Sequence, residues 1–317
     1  MKIVFFGSSK YIIPTVKMLQ DNFDLALIVT TERNPEDAVP SFARENNIPY
    51  LAINSFKDEG VLDRIKNIGA DAGVLGYFGR ILPQELLSFF PKGIINIHPS
   101  LLPKYRGPTP VQTAILNGDK LTGTTIILLD NEVDRGPMLT QQKEEILPND
   151  TTDSLHEKLF ILGAQLIKDI LPRYLTGTLD PLEQNHNDAT YTNHLSKSDG
   201  QIDINNPPDK EKLDRMIRAY FPWPGVWGKW QMANGKWKIL KFLPYSVCHP
   251  NTPVILGRKN DDSRISKECD PGHGQDDQMP QNDKGFCIQV EGGNPMSMKD
   301  FINGYPEIGE KIKDLLS

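Results

Sequence analysis

The sequence has little of what a membrane-spanning or disulfide-stabilised protein needs. No stretch approaches the roughly 18 consecutive apolar residues of a membrane span. The amino terminus has a short apolar run without a small-residue cleavage site, so it is interpreted as a first strand and not as a signal peptide. The three cysteines form no CxxC pair, which is typical of a reducing cytoplasm. We therefore predict a cytoplasmic protein with no membrane contact.

Basic charge and metal-ligand patterns are also scarce. The 35 lysines and arginines are outnumbered by 41 acidic residues, which argues against a generally basic nucleic-acid-binding protein but is compatible with a local basic face. Five possible metal ligands lie in one region: Cys248, His249, Cys269, His273 and Cys287. Because nothing there repeats a two-plus-two zinc pattern, we predict no metal site.

The first half of the chain alternates apolar strands with helical patterns. The strand-like runs are KIVFF, LALIVT, AGVLGYF, GIINIH and GTTIILLD. Continuous apolar strands separated by helices predict a doubly wound, mostly parallel α/β sheet, covered on both faces, in a domain over 1–188. A leucine-rich stripe from Thr152 to about Tyr174 predicts a long core helix.

The composition changes after Gly200. The segment 189–208 is interpreted as a linker, and 209–317 as a small β-rich, barrel-like domain containing the strand-like runs GVWGKWQM and GKWKILKFLP. Residues 258–284 are polar and rich in Asp, Gln, Gly and Pro, which predicts a flexible insert.

Residues 96–107 read NIHPSLLPKYRG and begin at the end of the run GIINIH. Side chains two residues apart on a strand face the same way. We therefore expect Asn96 and His98 to point together into the crevice at the carboxyl edge of the sheet, where open α/β sheets bind ligands. A lone histidine is more often a satisfied core residue, but its pairing with an amide at this edge favours catalysis.

A second polar stretch, LLDNEVDRGPML, follows the fifth predicted strand and contains three carboxylates, Asp130, Glu132 and Asp134. Most such groups are solvated loop charges, but one of them beside His98 would hold the tautomer of the ring and favour its charged form. An amide donor, an imidazolium and an orienting carboxylate include no strong nucleophile. The set predicts oxyanion stabilisation and proton movement while two bound substrates react directly.

These residues resemble the N-x-H…D signature of the folate-dependent formyltransferases, through Asn96 and His98, the run HPSLLPKYRG and the Asp134 loop. The resemblance covers nearly all of the chain except 258–284. It implies an enzyme in which a free α-amine attacks the formyl carbon of 10-formyltetrahydrofolate. Asn96 would donate to the developing oxyanion, and His98, paired with Asp134, would stabilise the same charge and assist proton transfer.

The resemblance also implies where the folate binds. Two loops are similar to the folate-contacting segments of the family, and the backbone of the second would contact the pterin ring. Their residues are Ser100, Leu101, Leu102 and Pro103 in the first, and Phe78, Gly79, Arg80, Ile81 and Leu82 in the second.

Three segments are similar to the branch of the family that formylates methionyl-initiator tRNA in translation initiation: ATYTNHLSKSDGQIDI, MIRAYFPWPGVW and MSMKDFINGYP. The resemblance implies a monomer with tRNA as its partner. Cations outnumber acids between Ile204 and Gly257, as a phosphate-rich acceptor requires. Four of them stand on or beside the predicted strands: Lys229, Lys236, Lys238 and Lys241.

Other functions remain open from the sequence. An N-formyltransferase acting on amino-sugar nucleotides would share Asn96, His98, Asp134 and the folate loop. The phosphoribosylglycinamide formyltransferases fit less well, because that family usually has a single domain. A non-catalytic nucleic-acid-binding module is disfavoured by the intact set and by the net charge of −6.

Overall fold

The computed structural model describes residues 1–232, 234–248 and 286–306, together with Ile308 and Ile312. The chain divides into two compact units, 1–196 and 197–317. This boundary falls inside the segment 189–208 that we predicted as a linker. The predicted insert at 258–284 lies outside the described residues, as do three of the five candidate metal ligands.

The first unit is a seven-stranded sheet with helices between its strands, in the order β3-β2-β1-β4-β5-β6-β7. The strands are β1 Lys2–Gly7, β2 Asp24–Thr30, β3 Tyr50–Ala52, β4 Ala72–Gly76, β5 Ile94–His98, β6 Leu121–Leu128 and β7 Met138–Glu145. The helices are α1 Ile13–Asn22, α2 Ala38–Glu45, α3 Val61–Lys66, α4 Gln84–Leu87, α5 Pro110–Leu116 and α6 Thr152–Leu175.

The predicted mostly parallel sheet is confirmed, with a correction at one edge. Strands β3, β2, β1, β4 and β5 are parallel, but β6 runs antiparallel to β5, and β7 antiparallel to β6. A buried antiparallel strand has the same apolar run as a parallel one, so the sequence of β6 did not reveal its direction. Strand β7 escaped prediction because it is a polar edge strand, as edge strands often are.

Helix α6 packs beneath β5 and confirms the predicted helix. A capping box at its first turn, in which Thr151 and Ser154 bond each other's backbone, explains why it begins there. At Gly163 an added Cβ would lie 2.6 Å from a methyl carbon of Ile97, so only glycine lets the helix approach this strand so closely. Ile95 and Ile97 are buried in the same apolar cluster as the leucines of α6. The helix therefore covers one face of β5.

The second unit is the predicted small β-rich domain. Its described strands form an antiparallel sheet in the order β11-β10-β9-β8. The helices are α7 Lys210–Tyr220, α8 Tyr245–Cys248 and α9 Met298–Gly304, and the strands are β8 Val226–Gln231, β9 Trp237–Pro244, β10 Phe286–Val290 and β11 Met296–Ser297. In the part of the chain that the structure describes, no helix is both long and apolar enough to cross a bilayer.

Candidate active site

The alternation of β5 places Asn96 and His98 on the face of the strand away from α6, as the sequence predicts. Ile94, on the same face, packs with the second apolar cluster, in which α3 and α4 take part. Asn96 is 6% exposed and His98 is 4% exposed. Both polar side chains are therefore buried at the carboxyl end of a parallel strand, where their hydrogen-bonding partners decide their chemistry.

Asp134 joins the two side chains through its carboxylate. Its Oδ1 lies 3.3 Å from the amide nitrogen of Asn96 and 3.5 Å from Nδ1 of His98. Its Oδ2 accepts the backbone N–H of Gly107 at 2.8 Å. The three residues singled out from the sequence are thus in contact around one partly buried carboxylate.

Asp134 reaches the site from the loop after β6, although β6 runs against the predicted parallel direction. Because β6 is antiparallel, its last residue, Leu128, lies opposite Ile95 near the start of β5 and not beside His98. The loop between β6 and β7 brings Asp134 to the side chains of β5, and Asp134 itself adopts a left-handed φ of 51°. Asp130 and Glu132 are exposed. The loop, and not the strand end, selects one carboxylate of the three.

The imidazole of His98 faces an acceptor at each nitrogen. Nε2 lies 3.0 Å from the carbonyl oxygen of Tyr105, and since a carbonyl only accepts, Nε2 donates. Nδ1 faces the Asp134 carboxylate. A ring protonated on both nitrogens satisfies both contacts. The arrangement supplies an oriented proton donor, held by Tyr105 and Asp134, next to the amide of Asn96.

The loop after β5 is held by hydrogen bonds within the loop and by hydrogen bonds to β6 and β7. The Ser100 hydroxyl, fully buried, donates to the carbonyl of Lys104, and the Leu102 N–H donates to the Thr125 hydroxyl. Gln141 on β7 donates to the Leu102 carbonyl. Leu101 and Pro103 are partly exposed. Of the predicted folate residues here, Ser100 is used internally, whereas Leu101 and Pro103 present surface.

The second predicted folate loop follows β4, and it too contains both buried residues and residues that present surface. Phe78 is 3% exposed and belongs to the apolar cluster, where its ring stacks edge-on against Phe6. Gly79, Arg80 and Ile81 are exposed, Ile81 at 88%, while Leu82 is half-buried against the same cluster. Phe78 therefore anchors the loop, and the residues after it are those that a ligand could reach.

Sequence reasoning missed the residues that hold the Asp134 loop. The buried side chain of Gln184 donates to the carbonyls of Asp134 and Gly136, at 2.9 and 2.7 Å. Its oxygen accepts from the buried Arg106 at 2.7 Å. Gln184 belongs to no pattern that marks a site, and although Arg106 lies in the signature run HPSLLPKYRG, its partner is 78 positions away. Across the described ranges, no group of three or more His, Cys, Asp or Glu side chains is arranged to hold a metal.

An aromatic cluster lies at the carboxyl ends of β1 and β4. His156 of α6 packs its ring 5.1 Å from Tyr11 and 5.2 Å from Tyr77, and Tyr11 donates to Asp153. Burial lowers the pKa of His156 to about 4, against the opposing influence of the Thr152 backbone and of Asp153. The histidine is therefore neutral in the folded protein near pH 7.

The buried His156 should make the fold sensitive to acid. The unfolded chain protonates this histidine near its ordinary pKa of 6.5, but the folded chain does so only near 4. Unfolding therefore takes up a proton between these values, and the free energy of unfolding should fall by about 3 kcal/mol from pH 7 to pH 4 through this residue. Urea unfolding across this range should show a smaller loss in His156→Phe. The exposed His194→Gln is the control, and equal acid sensitivity in all three proteins contradicts the assignment.

The chain is similar to known formyltransferases over most of its length. The formyl transferase family profile matches residues 1–171. The methionyl-tRNA formyltransferase of Chloroflexus aurantiacus is 37% identical over 268 residues, 81% of this chain and 85% of that protein. That of Thermodesulfovibrio yellowstonii is 30% identical over 320 residues, 95% of each chain. A sugar N-formyltransferase structure from a Shewanella species shares the fold, with a TM-score of 0.59 at 21% identity over 75% of this chain and 95% of its own. This chain therefore is an enzyme that belongs to the formyl transferase family.

Proposed function

We propose that this enzyme transfers the formyl group of 10-formyltetrahydrofolate to the α-amine of methionyl-tRNA. The observation that carries the proposal is the contact of Asn96, His98 and Asp134 at the end of β5. Relatives at 30–37% identity that are named methionyl-tRNA formyltransferases support the choice of acceptor. A set with no strong nucleophile suits direct attack of the amine on the formyl carbon.

In the proposed reaction, the amine nitrogen bonds to the formyl carbon, and the bond from that carbon to the folate nitrogen breaks. Negative charge develops on the formyl oxygen in between. One amide hydrogen of Asn96 faces Asp134, and the other would donate to this oxygen. The Nε2–H of His98 now donates to the Tyr105 carbonyl, so the reacting oxygen would share or replace that acceptor. The attacking amine loses a proton and the folate nitrogen gains one.

The folate would lie against the two loops that flank this set. Leu101, Pro103 and Ile81 present apolar surface at the carboxyl edge of the sheet, while Gly79 and Arg80 present backbone and a cation. Phe78 and Ser100 would support these loops from beneath, since their side chains are committed to internal contacts.

The proposed tRNA surface is one face of the second unit's sheet. On β8 and β9, Trp227 pairs with Lys241, and Lys229 pairs with Ile239, all on the same face. Both of these lysines are exposed, as is Trp237, farther along β9 on that face. Cations interleaved with aromatic rings suit a phosphate-rich, stacking partner.

Lys238 departs from the expected group of four lysines. It lies on the other face of β9, beside the buried Trp230, and its Nζ is 3.4 Å from the Glu291 carbonyl. Lys236 is exposed in the turn that joins the two strands. The side chains to test are therefore Lys229, Lys236 and Lys241.

An acceptor assay tests the proposal. Methionyl-tRNA and a set of amino-sugar nucleotides are each offered with 10-formyltetrahydrofolate over a series of salt concentrations. We expect formylation of methionyl-tRNA with an apparent affinity that falls steeply with salt. Alanine at Lys229, Lys236 and Lys241 together should raise the KM for tRNA and leave the KM for folate unchanged. It should also flatten the salt slope by about one for each phosphate that the variant no longer neutralises.

A charge-matched variant controls this experiment. Alanine at Lys17, Lys57 and Lys92, all exposed in the first unit, removes the same charge and should leave the salt slope unchanged. If both triple variants behave alike, the sheet face is not the tRNA surface. Efficient formylation of an amino-sugar nucleotide, with none of methionyl-tRNA, would assign the enzyme to that substrate class instead.

A further inference from the structure

The buried guanidinium of Arg106 has no obvious role in the reaction proposed above. Its residue is 1% exposed, and its N–H groups donate to the Gln184 side-chain oxygen, to the Tyr191 hydroxyl and to Nδ1 of His186. These acceptors carry no formal charge. Burying a cation among neutral partners costs free energy unless its hydrogen bonds are well made. We therefore expect this guanidinium to have a function besides stabilising the fold.

The orientation of the Gln184 amide follows from its surroundings. Arg106 can only donate, so the oxygen of the amide must face it. The NH₂ group then faces the carbonyls of Asp134 and Gly136, which can only accept. One side of this residue must accept and the other must donate twice, a combination that a side-chain amide provides. Arg106 thereby fixes the direction in which Gln184 donates.

The two carbonyls that Gln184 holds flank Arg135 in the loop that delivers the site carboxylate. At Gly136 an added Cβ would lie 1.8 Å from the Leu128 carbonyl oxygen, so the loop is pressed against the end of β6 at this point. Asp134 is held at a φ of 51°, a conformation that side-chain-bearing residues seldom adopt. Hydrogen bonds from outside the loop help to keep this backbone, and with it the carboxylate, in place.

The segment that carries Gln184 also clamps the loop after β5. The Arg106 N–H donates to the Thr190 carbonyl, and the Thr192 N–H donates to the Arg106 carbonyl, at 2.9 and 2.8 Å. Gly107, next to Arg106, gives its N–H to Asp134. Residues 184–192 thus tie together the two loops that meet at His98. They lie beyond the 1–171 range of the family profile.

We propose that Arg106 and Gln184 are positioning residues that set the carboxylate of Asp134 against His98 and Asn96. This inference rests on the proposed formyl transfer, because it assigns these residues a part in that site. The guanidinium orients the amide, the amide holds the loop, and the loop presents the carboxylate. Displacement of a catalytic group by about 1 Å can cost up to about 10²-fold in rate, so the effect is measurable.

The variant Gln184→Glu tests whether Gln184 positions the Asp134 carboxylate or only stabilises the fold. A glutamate keeps an acceptor for Arg106 and adds an ion pair to it, which should retain the fold. The same change replaces the two N–H donors with an oxygen that repels the carbonyls of Asp134 and Gly136. We expect a folded protein whose kcat is lower by about tenfold or more, with the KM for folate little changed. The loss should lie in the chemical step, because Nδ1 of His98 loses its contact with the Asp134 carboxylate.

Two further variants and one spectroscopic measurement complete the experiment. Arg106→Lys, which loses the planar fork, should show the same loss of kcat in a weaker form. His194→Ala, at an exposed position just beyond the segment 184–192, should behave as wild type. Nitrogen-15 NMR of the His98 ring, without substrate, gives a readout besides activity. An unchanged kcat and an unchanged Nδ1 resonance of His98 in Gln184→Glu would overturn the inference, whereas an inactive wild type would instead refute the proposed function.

Discussion

Alanine in place of His98, or in place of Asn96, is expected to lower kcat by about 10²–10³ while folate still binds, as for the loss of one oxyanion donor. In the proposed mechanism, each side chain would present a donor beside the point where charge develops on the formyl oxygen. Asp134 holds both side chains before substrate arrives, and the Nε2–H of His98 has only to share or exchange its Tyr105 acceptor during the reaction. Single-turnover formylation and folate binding, measured separately, would show the loss in the chemical step.

A matched control is available for this experiment. His194 is exposed, and His194→Ala should retain wild-type turnover. Circular dichroism and thermal unfolding check that the Asn96 and His98 variants remain folded, since both residues are buried. Near-normal kcat in both folded variants would remove Asn96 and His98 from the mechanism. A large rise in the KM for folate with unchanged kcat would assign them to binding instead.

Asp134→Asn should depress activity with the fold retained, because the ring of His98 loses its carboxylate partner. The Asn96 amide and the Gly107 N–H now share the two oxygens of this carboxylate, and asparagine offers only one. We expect kcat to fall by about tenfold or more. Single-turnover formylation by the folded variant is the measurement.

The neighbouring carboxylates supply the comparison. Asp130 and Glu132 are exposed on the same loop, and Glu132 is paired with Arg135. Asp130→Asn and Glu132→Gln should therefore leave kcat unchanged. If either of them reproduces the behaviour expected of Asp134→Asn, the partner of His98 in solution is that residue and not Asp134.

The candidate site was predictable where its chemistry depends on neighbours in sequence. The alternation of a strand puts Asn96 and His98 on one face whatever the rest of the chain does. The parallel strands that precede β5 place the end of this face at the carboxyl edge of the sheet, where ligands bind. The long helix α6 was predictable for the same reason, because its buried stripe and its capping box both lie within one continuous stretch of sequence.

The tertiary structure decided the features that depend on distant partners. The sequence brings Asp134 near His98 only through a resemblance to a family, because an antiparallel β6 places its strand end elsewhere. Gln184 and Arg106, 78 positions apart, share a hydrogen bond that no periodicity marks. The local sequence pattern determines which way a side chain points from its own strand or helix. Strand direction and loop packing determine which residues that side chain contacts.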